Sequence, residues 1–247
     1  MSIAHEIIPV QSLKAACSNC SLRELCLPVG LDMGEMAQLD VVIDQRQPIK
    51  RGEPLFRAGD PFKSLYAVRM GFFKTTVLSE DGREQVTGFH MAGDLIGLDA
   101  LGDNRHACTA LALEDCEVCE LPYHQIEELA HKIPALTRHF YKLMSREIVR
   151  DQGVMMLLGN MRAEERLVAF LLNLSQRMTA RGFSSTNFVL RMTREEIGSY
   201  LGMKLETVSR TFSRFQAEGW IAVQGKQIEI VDLPSIKQLV SGCTGLK

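Results

Sequence analysis

The hydrophobic period switches from two to between three and four partway along the chain, and that change restricts the architecture more than any single motif. From about Pro48 to Leu121, apolar residues alternate in brief runs that end in turn signals such as Gly59-Asp60-Pro61, Asp81-Gly82 and Ala92-Gly93-Asp94. Asp81-Gly82 lies between Phe72–Leu78 and Gln85–Phe89, the arrangement of a hairpin. A small antiparallel barrel or roll is predicted, preceded by a short helix over Met33–Ile43, with Cys108–Leu113 and Cys116–Tyr123 as its last strands. From Pro134 to about Gly159 the period becomes three to four, and Thr137, Phe140, Met144, Ile148, Asp151, Met155 and Leu158 share one stripe. A striped helix between a complete β unit and a separate helical unit predicts a connector that packs against a symmetry mate. Asp151 interrupts the stripe. On a two-fold seam it would meet its own copy and oppose association, holding the dimer near the edge of stability; beside the seam it would simply be solvated.

Beyond the connector, a helix is expected from Ala163 to about Ala180, stopped by Arg181-Gly182, and then a short strand over Phe188–Met192. Thr193-Arg194-Glu195-Glu196 is a capping box, in which Thr193 and Glu196 satisfy each other's terminal amides. Ile197 and Leu201 face inward on this helix and Gly202 supplies a tight turn. Lys204–Glu218 forms the next helix, and Ile221–Val231 around Gly225-Lys226 is a hairpin. The order strand, helix, turn, helix, wing is that of a DNA-reading module. On Lys204–Glu218 the inner side is read as Leu205, Val208, Phe212 and Phe215, which leaves Glu206, Ser209, Arg210 and Ser213 outward. Arg210 suits guanine O6 and N7, Glu206 suits the cytosine amino group, and Ser209 suits a base or a phosphate. The plain alternative is an exposed i,i+4 Glu206–Arg210 pair. Charge favours a polyanion here: Arg162–Lys226 holds ten Lys/Arg against six Asp/Glu, whereas the remainder holds 18 against 24.

The front of the chain carries different chemistry. Cys17, Cys20 and Cys26 form a C-x2-C-x5-C pattern that turns three thiols toward one point, with Cys108, Cys116, Cys119 and Cys243 as candidates for a fourth. Alternation along a strand means that Cys116 and Cys119 cannot both face one centre. Four thiolates fit a 4Fe-4S cluster or structural zinc, and a Cys17–Cys20 redox disulfide is a third reading. The seven cysteines are an odd number, poorly explained by a disulfide framework. No apolar run is long enough for a membrane span, and Met1–Gln11 lacks a signal-peptide pattern, so a cytoplasmic location is expected. No dinucleotide fingerprint, P-loop, catalytic triad or H-E-x-x-H arrangement is found, which argues against an enzyme.

Cys17-x2-Cys20-x5-Cys26, Thr87-Gly-Phe-His-Met-Ala-Gly-Asp-Leu-Ile-Gly, Val118-Cys-Glu-Leu-Pro, Leu143-Met-Ser-Arg-Glu-Ile and Glu206-Thr-Val-Ser-Arg210 together resemble the fumarate and nitrate reduction regulators, a branch of the superfamily that includes the cyclic-AMP receptor protein. The resemblance covers nearly the whole chain. It implies an α+β fold with an N-terminal β-roll like a cyclic-nucleotide-binding barrel, a long dimerisation helix and a C-terminal winged helix-turn-helix. The corresponding division is 1–30 for the cysteine segment, 31–133 for the roll, 134–162 for the dimerisation helix and 163–247 for the DNA-binding domain. It further implies an oxygen-labile 4Fe-4S cluster on Cys17, Cys20, Cys26 and Cys119, with Cys116 as an extra cysteine. By the same resemblance, the protein would be a homodimer joined through Phe140, Met144, Ile148, Asp151 and Met155 while the cluster is intact. Glu206, Ser209 and Arg210 would read TTGAT-like half-sites, RNA polymerase would be a partner, and genes of anaerobic metabolism would be activated or repressed. The turn Ser79–Arg83 is a further candidate contact for polymerase. Nucleotide sensing is disfavoured, because Gly93-Asp94-Leu95 and Arg105-His106-Ala107 depart from the superfamily's Gly-Glu-Leu and Arg-Ser-Ala clamp. His90 and His106 are read as satisfied or exposed histidines rather than iron ligands.

Overall fold

The structure is a computed structural model that describes residues 16–27, 29–43 and 46–240. Cys243 and the segment Met1–Gln11 lie outside the described residues. Helix α1, Met33–Val42, opens on a reciprocal cap in which Asp32 accepts from the Glu35 amide and Glu35 from the Asp32 amide.

The β-roll follows as two four-stranded antiparallel sheets. Its strands are β1 (Arg46–Ile49), β2 (Pro54–Phe56), β3 (Ser64–Met70), β4 (Phe72–Leu78), β5 (Glu84–Met91), β6 (Leu95–Ile96), β7 (Thr109–Ala112) and β8 (Cys116–Pro122). The sheet orders are β1-β8-β3-β6 and β2-β7-β4-β5. Alternation along each strand sends Val68, Phe73, Ile96, Ala110, Cys116 and Val118 between the sheets as one buried cluster. Gly71 turns the chain from β3 to β4 at φ +90°, and a Cβ there would stand 2.5 Å from the Cys116 sulfur, so glycine is required at this crossing.

Helix α2 (Tyr123–Lys132) covers the end of the roll, and α3 (Pro134–Asn160) starts with proline in its first turn. Leu136 and Leu143 anchor α3 on the roll and Leu157 is buried near its far end. Ile148, Asp151 and Met155 are exposed, and Phe140 and Met144 are half-buried. No helix among the described residues is long and apolar enough to cross a membrane.

The last unit contains α4 (Ala163–Thr179), β9 (Asn187–Val189), α5 (Arg194–Leu201), α6 (Leu205–Ala217), β10 (Ile221–Gln224), β11 (Gln227–Ile230) and α7 (Leu233–Val240). Its sheet order is β10-β11-β9. The core of this unit continues into the roll: Phe72, Val86, Phe89 and Met91 pack in one cluster with Phe170, Leu174, Ile197 and Phe212.

Three local readings are corrected. The strand expected over Phe188–Met192 leaves the ladder after Val189. Its partner β11 runs out at Gln227, and the last hydrogen bond is from the Leu190 amide to the Lys226 carbonyl. Leu205 is 44% exposed, so the inner face of α6 is Val208, Thr211, Phe212 and Phe215. His90 and His106 are both buried, and among the described residues the Nδ1 of each has no hydrogen-bond partner.

Candidate cysteine centre and nucleic-acid interface

The segment from Cys17 to Leu27 is a chain of tight turns closed by backbone hydrogen bonds, Cys20 N–H to Cys17 C=O at 3.1 Å and Cys26 N–H to Leu22 C=O at 3.0 Å. Leu27 is fully buried and fastens the segment to the roll. Asp40 of α1 accepts from the Cys17 amide at 2.5 Å, and His139 of α3 meets the Cys26 carbonyl at 3.1 Å. These contacts turn Cys17, Cys20 and Cys26 into one cavity, to which β8 contributes Cys119. The cavity encloses about 400 Å³ including its mouth, and Leu22, Leu27, Ile43, Ala67 and Leu121 make its walls apolar. Among the described residues, no three His, Cys, Asp or Glu side chains already stand close enough to grip a metal ion.

The donor set nonetheless fits a thiolate-bound metal group, and the reason is electrostatic. Burial pushes the Cys17 thiol above its ordinary range, and the neighbouring Cys26, Asp40, Cys119 and Cys20 push it further. Burial also raises Cys26 to about 12, with the Leu27 amide opposing and Cys119 and Cys20 adding to it. Cys119 is raised for the same first reason and by Cys20, with Arg69 and Arg46 lowering it. The four sulfurs therefore feel one another, and they can all ionise only around a compensating positive centre. Apolar walls with a nearby arginine suit a thiolate-ligated group.

The other two described cysteines are elsewhere. Cys116 points between the sheets, its sulfur 3.3 Å from the Phe72 carbonyl, and burial first raises its thiol to about 11. Cys108 donates toward Asp99 at 3.4 Å and is raised to about 12, by burial first and then by that carboxylate. Neither lines the cavity of the other four. His90 and His106 are also remote from it; burial and then Arg150 hold His90 neutral, down to about 3.

A second cavity lies between the roll and α3, lined by His90, Asp99, Glu147, Arg150 and Asp151 among others. Three carboxylates face one arginine there, and Arg150 is already paired with Glu147. Arg105 is turned away and donates to the Gly59 carbonyl at 2.8 Å. This is poor chemistry for a cyclic nucleotide phosphate.

The helix-turn-helix is assembled from local signals. Thr193 and Glu196 form the reciprocal cap of α5, with Thr193 N–H to Glu196 at 2.7 Å and Glu196 N–H to Thr193 at 3.1 Å. Gly202 turns the chain at φ +61°. Gly198 lets α5 approach the loop, since a Cβ there would lie 2.6 Å from the Met203 carbonyl oxygen. Val208, Phe212 and Phe215 are fully buried, and Arg194 lies over the Phe212 ring at 4.5 Å. Glu206 and Arg210 are exposed, Ser209 is half-buried, and among the described residues neither Glu206 nor Arg210 is in an ion pair. The bland pairing is not formed, which leaves both charges directed to solvent.

Two groups of residues escaped the sequence reading. Arg166 of α4 donates to the carbonyls of Leu158, Met161 and Leu201 at 2.8, 2.9 and 3.0 Å, capping α3 and tying α5 to it. Asp94, Arg177 and Arg181 form a half-buried charge cluster between roll and α4. An isolated arginine has no partner signature in a sequence. Asp94 gave a signal only as an altered Gly-Glu-Leu step.

A β-roll joined by a long helix to a winged helix-turn-helix is the architecture of a DNA-binding transcription regulator. Comparison with known proteins refines that class. Residues 46–132 match the Cyclic nucleotide-binding domain family and residues 165–239 the Crp-like helix-turn-helix domain family. The chain is 48% identical over 223 residues to the Fumarate and nitrate reduction regulatory protein of Escherichia coli, covering 90% of this chain and 89% of that protein. It is 46% identical over 238 residues to Transcriptional activator protein anr of Pseudomonas aeruginosa, covering 96% and 98%. Among solved structures, FixK2 from Bradyrhizobium japonicum matches with a TM-score of 0.73 and 28% identity, over 79% of this chain and 96% of that one. The chain belongs to the FNR/Anr family of Crp/FNR transcription regulators, whose members are regulators and not enzymes.

Proposed function

We propose that this protein is an oxygen-responsive transcription regulator that binds DNA as a homodimer while Cys17, Cys20, Cys26 and Cys119 hold a 4Fe-4S cluster. One observation carries the reading: four thiols from two distant segments line a single apolar cavity in a chain close to a fumarate and nitrate reduction regulator. When bound, such a group supplies iron–thiolate bonds that oxygen can break, and so makes the grip of the cysteines conditional. The protein's own residues do the rest. Cys17, Cys20 and Cys26 draw their segment onto β8 and α1, where Asp40 and His139 orient its backbone. Phe140, Met144, Ile148 and Met155 offer an apolar face on α3 for a second copy, and Asp151 opposes that association by like-charge repulsion. Glu206, Ser209 and Arg210 then read the two half-sites of a TTGAT-like palindrome in the major groove.

On this reading, residues 1–30 serve as the sensor segment, 31–133 as the roll, 134–162 as the dimerisation helix and 163–247 as the DNA-binding domain. The protein works in the cytoplasm on genes of anaerobic metabolism, activating or repressing them through contact with RNA polymerase, to which the exposed turn Ser79–Arg83 is available. Operator affinity measured at one salt concentration, with and without bound iron, tests the proposal. Iron-dependent affinity is expected; equal affinity of the two forms would contradict the switch while leaving DNA binding intact.

A further inference from the structure

The turn between β5 and β6 connects three parts of the molecule. The Gly93 amide donates to the Val68 carbonyl at 2.8 Å and the Val68 amide to the Asp94 carbonyl at 2.9 Å, which pins the turn to β3. On one side Leu25 of the cysteine segment lies flush against Gly93: φ is +89°, and a Cβ there would be 2.9 Å from the Leu25 Cβ. On the other side Arg177 of α4 and Arg181, two residues past its end, hold the two carboxylate oxygens of Asp94 at 2.5 and 2.7 Å. The same guanidiniums grip the neighbouring backbone, Arg177 at the Phe89 carbonyl at 3.0 Å and Arg181 at the Ala92 carbonyl at 2.5 Å. Burial disfavours the charged carboxylate, yet the two arginines more than offset it and hold Asp94 below the usual carboxylate range. An acid that the superfamily resemblance aligned with a ribose clamp is here committed to the chain's own DNA-binding unit.

We propose that the Asp94–Arg177–Arg181 clasp carries the state of the cysteine segment to the DNA-binding helices within one subunit. The inference rests on the reading of the cysteines as cofactor ligands. With the segment seated, Leu25 backs Gly93, the turn keeps its shape and both arginines stay engaged. That fixes α4 and, through their common core, α6. With the segment released, the turn loses its backing and the arginines slip, so the recognition helix loses its register against the roll. A half-buried carboxylate held by two guanidiniums is strongly directional, and breaking one side leaves a partly desolvated charge uncompensated. This route runs through the roll and α4, and contains none of the apolar residues of the α3 stripe.

The test follows amide hydrogen exchange over residues 163–181 and 194–217 in the full chain, purified without air and then stripped with a chelator, for wild type and Asp94→Asn. Stripping is expected to speed exchange in the wild type. Iron-bearing Asp94→Asn, matched in iron content, is expected to exchange at that faster rate already and to bind operator at least about fivefold more weakly. Iron-bearing Asp94→Asn that exchanges and binds like the wild type overturns the clasp. A wild type that takes up no iron overturns the cofactor reading instead; the clasp then fails if Asp94→Asn leaves exchange over those helices unchanged in the chain as isolated. Should Asp94→Asn misfold, Arg177→Gln makes the same comparison with Arg181 still on Asp94.

Discussion

The recognition helix and the cysteine pocket are built in opposite ways. The cap, turn glycine and buried face that set α6 lie between Thr193 and Phe215, and each is stated by neighbours in the chain. The pocket draws on Cys17–Cys26, Asp40, Cys119 and His139, and a few side chains close it around open space. Dense local packing keeps its shape, whereas a region closed by a few long-range contacts opens at lower free energy. The recognition helix is therefore preformed, and the pocket is the part that opens more readily.

The largest effects separate the two regions. Phe212→Ala empties a fully buried ring site under α6 and is expected to cost about 3–5 kcal/mol in urea unfolding. Iron content of the surviving folded protein should stay at the wild-type level. A matching loss of iron would show that the two regions are one cooperative unit. Gly198→Ala pushes a methyl toward the Met203 carbonyl oxygen and is expected to cost about 1–3 kcal/mol by the same assay.

The next three substitutions leave the fold largely intact. Arg210→Ala is expected to weaken operator binding by about 1–3 kcal/mol and to relax discrimination at G·C positions, without changing iron content. Equal losses on every sequence would reassign Arg210 to a phosphate. Cys119→Ser should abolish the iron-dependent part of operator affinity, whereas Cys116→Ser, which keeps hydrogen-bond partners at the Phe72 and Glu114 carbonyls, should keep the iron. The reverse pattern would move the fourth ligand to Cys116.

Smaller effects sharpen the contrast. Thr193→Ala removes the α5 cap and is expected to cost about 1 kcal/mol. Glu196 carries the pH dependence of that cap. Burial works against its ionisation, but the Thr193 amide and Lys74 more than offset this and hold its carboxyl below the usual range. Its contribution is present above the unfolded carboxylate pKa and is lost as pH falls through the lower folded value, so Glu196→Gln should flatten the acid limb of a stability profile. Asp151→Ala should strengthen dimerisation of iron-free protein several-fold, on the order of 1 kcal/mol, in sedimentation; no change would place Asp151 beside the seam.

The same contrast explains what could be read from the chain. The α5 cap, the Gly202 turn, the buried Val208, Phe212 and Phe215, and the hairpin at Asp81-Gly82 were all legible, because each is a short-range pattern with one physical cause. Helices α2 and α7 were not, since they are only 10 and 8 residues long, shorter than the stretch over which a helical period can be told from its surroundings. The spacing of Cys17, Cys20 and Cys26 announced a shared centre. That Cys119 completes the cavity wall required strand β8 to be paired with β3 and β1, and alternation alone narrowed the choice without deciding it. Nothing in the sequence tied Asp94 to Arg177 and Arg181, more than 80 residues away, because a salt bridge between modules exists only once both are folded and docked.

The most direct measurement is the visible absorbance, iron and acid-labile sulfide of protein purified without air, followed in one cuvette while air is admitted and operator binding is read by anisotropy. The account expects a brown protein that holds its DNA, then bleaches and releases it together. Colourless protein with stoichiometric zinc, or an operator complex that persists while the colour fades, would contradict it.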